Sequence, residues 1–186
     1  MAWIRELHLA CRKTVCLAVS LLILGLSGVS PGAVREWTGA ASTNYFDPNN
    51  WFDGSLPSLI TFDGAKLSYA GWPGPHHPTL VNGTSSFWWA EITNNLELTI
   101  GANGQLNADA DFDMAIEPGS TGTLTMIDNG YASAGTYIKA GWSGDAFINM
   151  SDESLIEAPG LVLGKWDDDT NPGACFMTMS GNASVV

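Results

Sequence analysis

The stretch that decides the fold is LTMIDNG, at residues 124–130. It places a threonine between two apolar residues and ends in Asn129-Gly130. Its relatives are LTIGANG at 98–104, INMSDES at 148–154 and MTMSGNA at 177–183, so successive copies start 26, 24 and 29 residues apart. Self-similarity with a period of roughly 20–50 residues predicts a stacked array of structural units. Because the units contain short alternating runs and turn residues rather than a helical period, the array is predicted to be a β-solenoid.

The alignment of the copies also predicts which side chains stack. With coils about 4.8 Å apart, Leu124 lies over Leu98 and Ile148 lies over Leu124, which forms a continuous inner column. Thr125 and its equivalents then point outward. Asn-Gly pairs belong at the corners, since both residues tolerate positive φ. A second strand is predicted between the copies, within 112–116, 136–144 and 161–166.

An antiparallel β-sandwich is the alternative architecture. Asn-Gly is also the strongest short hairpin signal, and the spacing of the copies is irregular. The regular registration of one copy on the next favours the parallel solenoid, of about four coils. In either case the chain is expected to be all-β, with almost no helix after its N-terminal segment.

Three regions are predicted along the chain. Residues 1–33 contain basic residues, an apolar run at 15–26 and then small residues, which is the order of a secretory signal peptide. The apolar run is too short to span a membrane. Residues 34–90 are rich in Trp and Pro and are predicted to cap the N-terminal end of the core. Residues 91–186 hold the repeats and end inside a copy without a polar cap, which suggests a fragment. We therefore expect an exported protein, located extracellularly, at the cell surface or in a periplasm, with no stable membrane span after signal cleavage.

The net charge of the mature chain limits the classes of partner that it can bind. Removal of the signal leaves 4 of the 7 Lys and Arg and 18 of the 19 Asp and Glu, a net charge of −14. Such a field disfavours nucleic acid and anionic membrane surfaces, whereas cations and neutral glycans remain suitable partners. Cys175 is the one cysteine left, so no intrachain disulfide is possible, and its apolar neighbours indicate a small buried side chain rather than a nucleophile.

The entry W-T-G…N-Y-F-D-P-N-N-W…G-S-L-P at 37–57, followed by L-T-I-x-x-N-G units, resembles secreted bacterial β-solenoid surface proteins. These are the autotransporter passenger-like and PEP-CTERM-associated repeat proteins. The resemblance covers most of the mature chain, but its motifs are compositional. It implies an exported, right-handed parallel β-helix and no particular activity. Members of this group usually carry a C-terminal sorting helix or membrane barrel, and neither is expected within residues 34–186.

Two acidic stretches are candidate calcium sites. Asp109, Asp111 and Asp113 alternate in NADADFD and would share one face of a strand, where oxygen ligands suit a hard cation. Asp167, Asp168 and Asp169 cluster in an insertion that lengthens the last repeat. Solvated acidic surfaces are the alternative for both stretches. No other cofactor is expected, because the adjacent pair His76-His77 cannot readily face one ion and fits a structural loop.

Tryptophans are the candidate carbohydrate-binding residues. Trp142 and Trp166 follow the second strand of neighbouring copies, 24 residues apart, and could form a stacked pair whose flat faces contact sugar rings. Trp37 and Trp51 are instead expected to shield the first coil.

No catalytic constellation is evident, so no catalytic residue is assigned. A polysaccharide lyase needs a positioned base and a cation for the substrate carboxylate, and four strong bases are spread over the mature chain. A glycoside hydrolase needs two facing carboxylates, which the sequence alone cannot place. The expected function is a non-enzymatic module for cell-surface or matrix adhesion and carbohydrate contact. The alternative is a carbohydrate-active enzyme, a hydrolase or lyase, on the same solenoid.

Overall fold

The computed structural model describes residues 32–68, 76–164 and 173–186. Within them one short 3-10 helix, Pro48–Asn50, accompanies sixteen strands. The strands are β1 (Val34–Glu36), β2 (Gly64–Leu67), β3 (Thr79–Val81), β4 (Thr84–Phe87), β5 (Trp89–Ile92), β6 (Leu96–Gly101), β7 (Gln105–Ala108), β8 (Phe112–Met114), β9 (Thr121–Met126), β10 (Tyr131–Ala134), β11 (Tyr137–Ala140), β12 (Asp145–Met150), β13 (Leu155–Glu157), β14 (Gly160–Leu163), β15 (Ala174–Met179) and β16 (Ser184–Val185).

These strands form three parallel sheets. The first sheet has the order β1-β2-β5-β8-β11-β14, the second β4-β7-β10-β13-β16 and the third β3-β6-β9-β12-β15. From β2 onward, every third strand in the chain therefore returns to the same sheet, and the result is a β-solenoid of about four turns. The predicted parallel solenoid is confirmed. The alternative antiparallel sandwich is wrong, because all neighbouring strands that the structure describes are parallel.

The predicted stacking of side chains is confirmed in the third sheet. Leu98 is in register with Leu124, and Leu124 is in register with Ile148. All three are fully buried. Thr125 lies on the outer side of the same sheet, partly exposed, and pairs with Thr99 below it. Apolar residues of similar size at each turn build the inner column, which is why the copies are recognisable in the sequence.

Each coil contains a strand that the sequence did not predict. The predicted second strands are present as β8, β11 and β14 in the first sheet, but β7, β10 and β13 add a whole second sheet between the copies. In their sequences, QLNA, YASA and LIE, a buried Leu, Ala or Ile alternates with more exposed residues of varied size and polarity. Inward residues such as Ala132 and Ala134 are small, so the apolar signal of these strands is weak although the residues are buried.

The corners confirm the role predicted for Asn and correct the role predicted for Gly. Asn103 and Asn129 have φ of 64° and 62°, in the left-handed region. Gly104 and Gly130 are needed for space instead, since a Cβ there would lie 2.2 Å from the carbonyl oxygen of Leu80 and 2.4 Å from that of Ile100. Ser154 occupies the equivalent position in the next coil, so this close approach belongs to the two earlier corners.

An aromatic cluster covers the start of the solenoid. Trp37, Tyr45 and Trp51 are buried, with ring centroids of Tyr45 and Trp51 5.1 Å apart. The backbone amide of Tyr45 donates to the carbonyl of Thr79, and its hydroxyl contacts Ser85 at 3.0 Å, so the cluster packs on the first strands of the second and third sheets. Strands β1 to β5 already belong to the three sheets, and the first coil therefore begins before residue 91.

Candidate functional site

The outward side of the first sheet concentrates charged and aromatic residues. We call this surface the first-sheet face and define it by Trp89, Glu91, Asp111, Asp113, Tyr137, Lys139 and the adjacent corner residue Trp142. Lys66, Glu91 and Asp113 follow one another in register on β2, β5 and β8, and Lys139 is the next residue of the same row on β11. Parallel strands are about 4.8 Å apart, so each charge has its neighbours close on both sides.

Lys139 is the centre of this face. Its Nζ forms an ion pair with Asp111, lies 3.7 Å from Asp113 Oδ1 and lies 5.9 Å from the centre of the Trp142 ring. Desolvation opposes the charge of Lys139, but the hydrogen bond to Asp111 and the charges of both carboxylates outweigh it and raise the pKa of the lysine. The ammonium group is thus held between two carboxylates beside an indole ring.

The negative charges of Glu91 and Asp113, in the middle of this row, have few hydrogen bonds to stabilise them. Glu91 is 9% exposed, and the nearest Lys66 nitrogen is 4.0 Å from its Oε1. Within the described residues, Glu91 Oε1 and Asp113 Oδ1 are buried without a hydrogen-bond partner. Burial is the main cause that raises the pKa of both groups, and neighbouring carboxylates add to it. Asp111 differs, because its hydrogen bonds to Lys139 and Thr136 overcome desolvation and lower its pKa.

Two aromatic rings lie across neighbouring strands at opposite ends of the face. A Cβ on Gly64 would meet the Trp89 ring at 2.2 Å, and a Cβ on Gly160 would meet the Tyr137 ring at 2.5 Å. Glycine on the adjacent strand therefore makes room for each ring to lie over the sheet. Tyr137 is 48% exposed and presents its surface to solvent.

The structure separates the three alternating aspartates. Asp111 and Asp113 are on the first-sheet face, but Asp109 is exposed at the corner after β7 and lines a cleft over the second sheet. The prediction that they share one strand face is wrong, because the chain turns at 109–111, where the amides of Asp109 and Ala110 bond to the previous coil. In the described ranges no three His, Cys, Asp or Glu residues are grouped so that they could hold a metal ion.

The remaining candidates have different outcomes. Trp142 lies where the sequence placed it, at the corner between β11 and β12, next to Lys139. Trp166 and Asp167, Asp168 and Asp169 lie outside the described residues, so the Trp142–Trp166 pair and the calcium loop stay predictions. Cys175 is partly buried, and burial raises the pKa of its thiol to about 11, which keeps it protonated.

Sequence reasoning missed Lys66, Glu91, Trp89 and Tyr137. These residues occupy outward positions, and each sits on a different coil from its partner. An alignment of the coils could have found them. Ala90, Phe112 and Ile138 are in register, so the residues that follow them, which are charged, must also lie side by side.

Comparison of the chain with protein-family models, with curated proteins and with solved structures finds no match. No helix in the part of the chain that the structure describes has the length and apolarity needed to cross a lipid bilayer.

Asp113→Asn and Asp111→Asn should change stability with pH in opposite senses. A carboxyl with a raised folded-state pKa stabilises the fold below its unfolded pKa, and this contribution is lost as the pH rises. Asp113→Asn should therefore gain stability relative to the parent as the pH rises above the usual value of 3.8. Asp111 has a lowered pKa, so Asp111→Asn should be destabilising at neutral pH, and its deficit should shrink as the pH falls below 3.8.

Urea unfolding of the parent and both variants between about pH 3 and pH 7 measures these trends. The two variants remove the same charge two residues apart, so each is the control for the other. Parallel pH profiles for the two would contradict the different environments assigned to these carboxylates.

Proposed function

We propose that this protein is an exported, non-enzymatic solenoid module that contacts carbohydrate at a cell surface or in an extracellular matrix. The first-sheet face makes the contact. The observation that carries the proposal is the juxtaposition of Tyr137 and Trp142 with the Lys139–Asp111 ion pair on one surface. Aromatic faces pack against the C–H surfaces of sugar rings, and fixed charged groups bond to the hydroxyls.

The row geometry supports an extended ligand. Tyr137 and Trp89 lie on strands β11 and β5, with β8 between them, and their rings lean outward over β14 and β2. Four strand spacings of about 4.8 Å separate these outer strands, so the two rings stand roughly 19 Å apart. This span suits several consecutive sugar units, with Asp111 and Lys139 between the aromatic ends.

Export fits this role. The charged n-region, apolar run and small residues at 1–33 have the order of a signal peptide, and the acidic mature chain suits a ligand other than nucleic acid. Rigid parallel sheets also position a surface site without loop ordering, which lowers the entropic cost of binding.

Removal of the aromatic surface tests the proposal. Tyr137→Ala and Trp142→Ala should each weaken binding of neutral oligosaccharides such as cellohexaose and chitohexaose by about tenfold, as expected for a central interface aromatic. Isothermal titration and affinity electrophoresis measure the loss. Phe147→Ala is the matched control, because Phe147 is an exposed aromatic of the third sheet that stacks on Phe176 at 5.3 Å. If all three variants lose the same affinity, or if none loses affinity, the first-sheet face is not the binding surface.

A carbohydrate-active enzyme is the second candidate, and one observation favours it. Glu91 and Asp113 are register partners on adjacent strands, and strands about 4.8 Å apart bring carboxylates near the separation of about 5–5.5 Å used by retaining glycosidases. Against it, Glu91 is almost completely covered, whereas an acid catalyst must reach the glycosidic oxygen. Release of reducing ends from the same oligosaccharides, abolished in Glu91→Gln, would replace the binding proposal with the enzymatic one.

A further inference from the structure

A cleft of about 550 Å³ lies over the second sheet, away from the first-sheet face. Its floor is one outward row of side chains, Ser86, Asn107, Ser133 and Glu157, which are register partners on β4, β7, β10 and β13. Leu59 of the entry segment borders one part of the cleft, and Pro159 and Val186 border another. The solenoid thus has a concave surface as well as the first-sheet face.

The floor of the cleft is a fixed ladder of polar groups. Ser133 Oγ donates to Asn107 Oδ1 at 3.0 Å, and Asn107 Nδ2 contacts Ser86 Oγ at 3.4 Å. The hydroxyl of Tyr131 donates to Glu157 Oε2 at 2.8 Å. Amide, hydroxyl and carboxylate oxygens each keep a further acceptor position after these bonds. Groups already held in place lose little freedom when a ligand adds to them, so the ladder suits a molecule rich in hydroxyls.

The charge of the lining distinguishes the cleft from the first-sheet face. Asp109 and Glu157 are both exposed carboxylates, and the described residues that line the cleft include no Lys, Arg or His. The first-sheet face, in contrast, carries Lys66 and Lys139. Burial and the bond to Glu157 raise the pKa of Tyr131, so its hydroxyl remains a donor to that carboxylate. A ligand of the cleft must therefore form hydrogen bonds to fixed oxygens, and it must be neutral or positively charged beside the carboxylates of Asp109 and Glu157.

We infer that the cleft over the second sheet binds a glycan with free amino groups, of the glucosamine class. Hydroxyls of the sugar bond to the Asn107 and Ser133 ladder, and protonated amines of different sugar units pair with Glu157 and with Asp109. Uronic acids and sulfated sugars are excluded, because their charges would repel these carboxylates. With a neutral glycan on the first-sheet face, such a module would join two kinds of polymer, but binding in the cleft does not depend on that proposal.

The experiment compares two ligands that differ at the sugar nitrogen, which is a protonated amine in one and a neutral acetamide in the other. The glucosamine trimer and its fully N-acetylated counterpart are titrated into the whole chain at about pH 6, where the sugar amine is protonated. The free-amine trimer should bind at least about tenfold more tightly. Its affinity should fall when the salt concentration rises from about 0.01 M to about 1 M, because the Debye length drops from about 30 Å to about 3 Å.

Variants locate the binding. Glu157→Gln and Asp109→Asn should each weaken binding of the free-amine trimer by about fivefold or more, without changing the affinity for the acetylated trimer. Asp145→Asn is the matched control, since it removes one exposed carboxylate from the third sheet. Equal binding of both trimers, or no binding, would overturn the inference, and so would an effect of Asp145→Asn as large as that of Glu157→Gln. Tyr137→Ala, which tests the first-sheet face, should leave the titration with the free-amine trimer unchanged.

Discussion

Replacing Leu124 with alanine should lower the free energy of unfolding by about 2–5 kcal/mol. Leu124 is fully buried, and it lies in register between Leu98 of the coil below and Ile148 of the coil above. Truncation removes its own buried surface and also leaves a cavity against both neighbours. The parallel ladders on each side fix the spacing of the coils, so this cavity cannot easily collapse. Urea unfolding with circular dichroism detection should show a lower midpoint and an unchanged slope.

Thr125→Ala is the control for this experiment. Thr125 is the next residue of the same strand, but it points outward, where its hydroxyl donates to Glu97 Oε1 at 2.9 Å. Loss of one partly exposed hydrogen bond should cost about 1 kcal/mol. If Leu124→Ala is no more destabilising than Thr125→Ala, the inner column does not hold the coils together as the register indicates.

The same column explains what the sequence could predict. Stacked coils bury equivalent positions against each other, so Leu98, Leu124 and Ile148 must keep similar size and polarity in every turn. That constraint makes the period visible without any knowledge of the structure. The strands of the second sheet were not predicted, because their inward residues include Ala108, Ala132 and Ala134, which are buried but give only a weak apolar pattern in the sequence.

The outward surfaces were harder to predict for a related reason. Nothing requires an outward residue to repeat, and the charged row Lys66, Glu91, Asp113 and Lys139 changes its identity at every strand. Its members meet only through the register, because they come from four different coils or entry strands. Asp109 and Asp111 show the converse, since they are two residues apart in the chain but face different sides of a corner. Alternation predicts a shared face only where the strand continues.

Gly104→Ala should destabilise the protein by about 3 kcal/mol or more. The added Cβ would lie 2.2 Å from the carbonyl oxygen of Leu80 and 2.6 Å from its Cδ2. The oxygen belongs to the backbone of β3, which is held in the third sheet next to β6, so relief requires the two coils to move apart at this corner. Ladder bonds on both sides of the corner oppose that movement, including the bond from Gln105 N to Gly83 O at 2.8 Å.

Gly119→Ala separates this close contact from conformational strain. Gly119 has φ of +72°, and a Cβ there would meet nothing within 4 Å. Its substitution should therefore cost only the strain of a left-handed residue, about 1–2 kcal/mol. The usual expectation, that glycine matters most where φ is positive, predicts the reverse order. Equilibrium unfolding of both variants decides between them: a Gly104→Ala variant at least as stable as Gly119→Ala would mean that the coils are not packed as closely at this corner as the carbonyl contact requires.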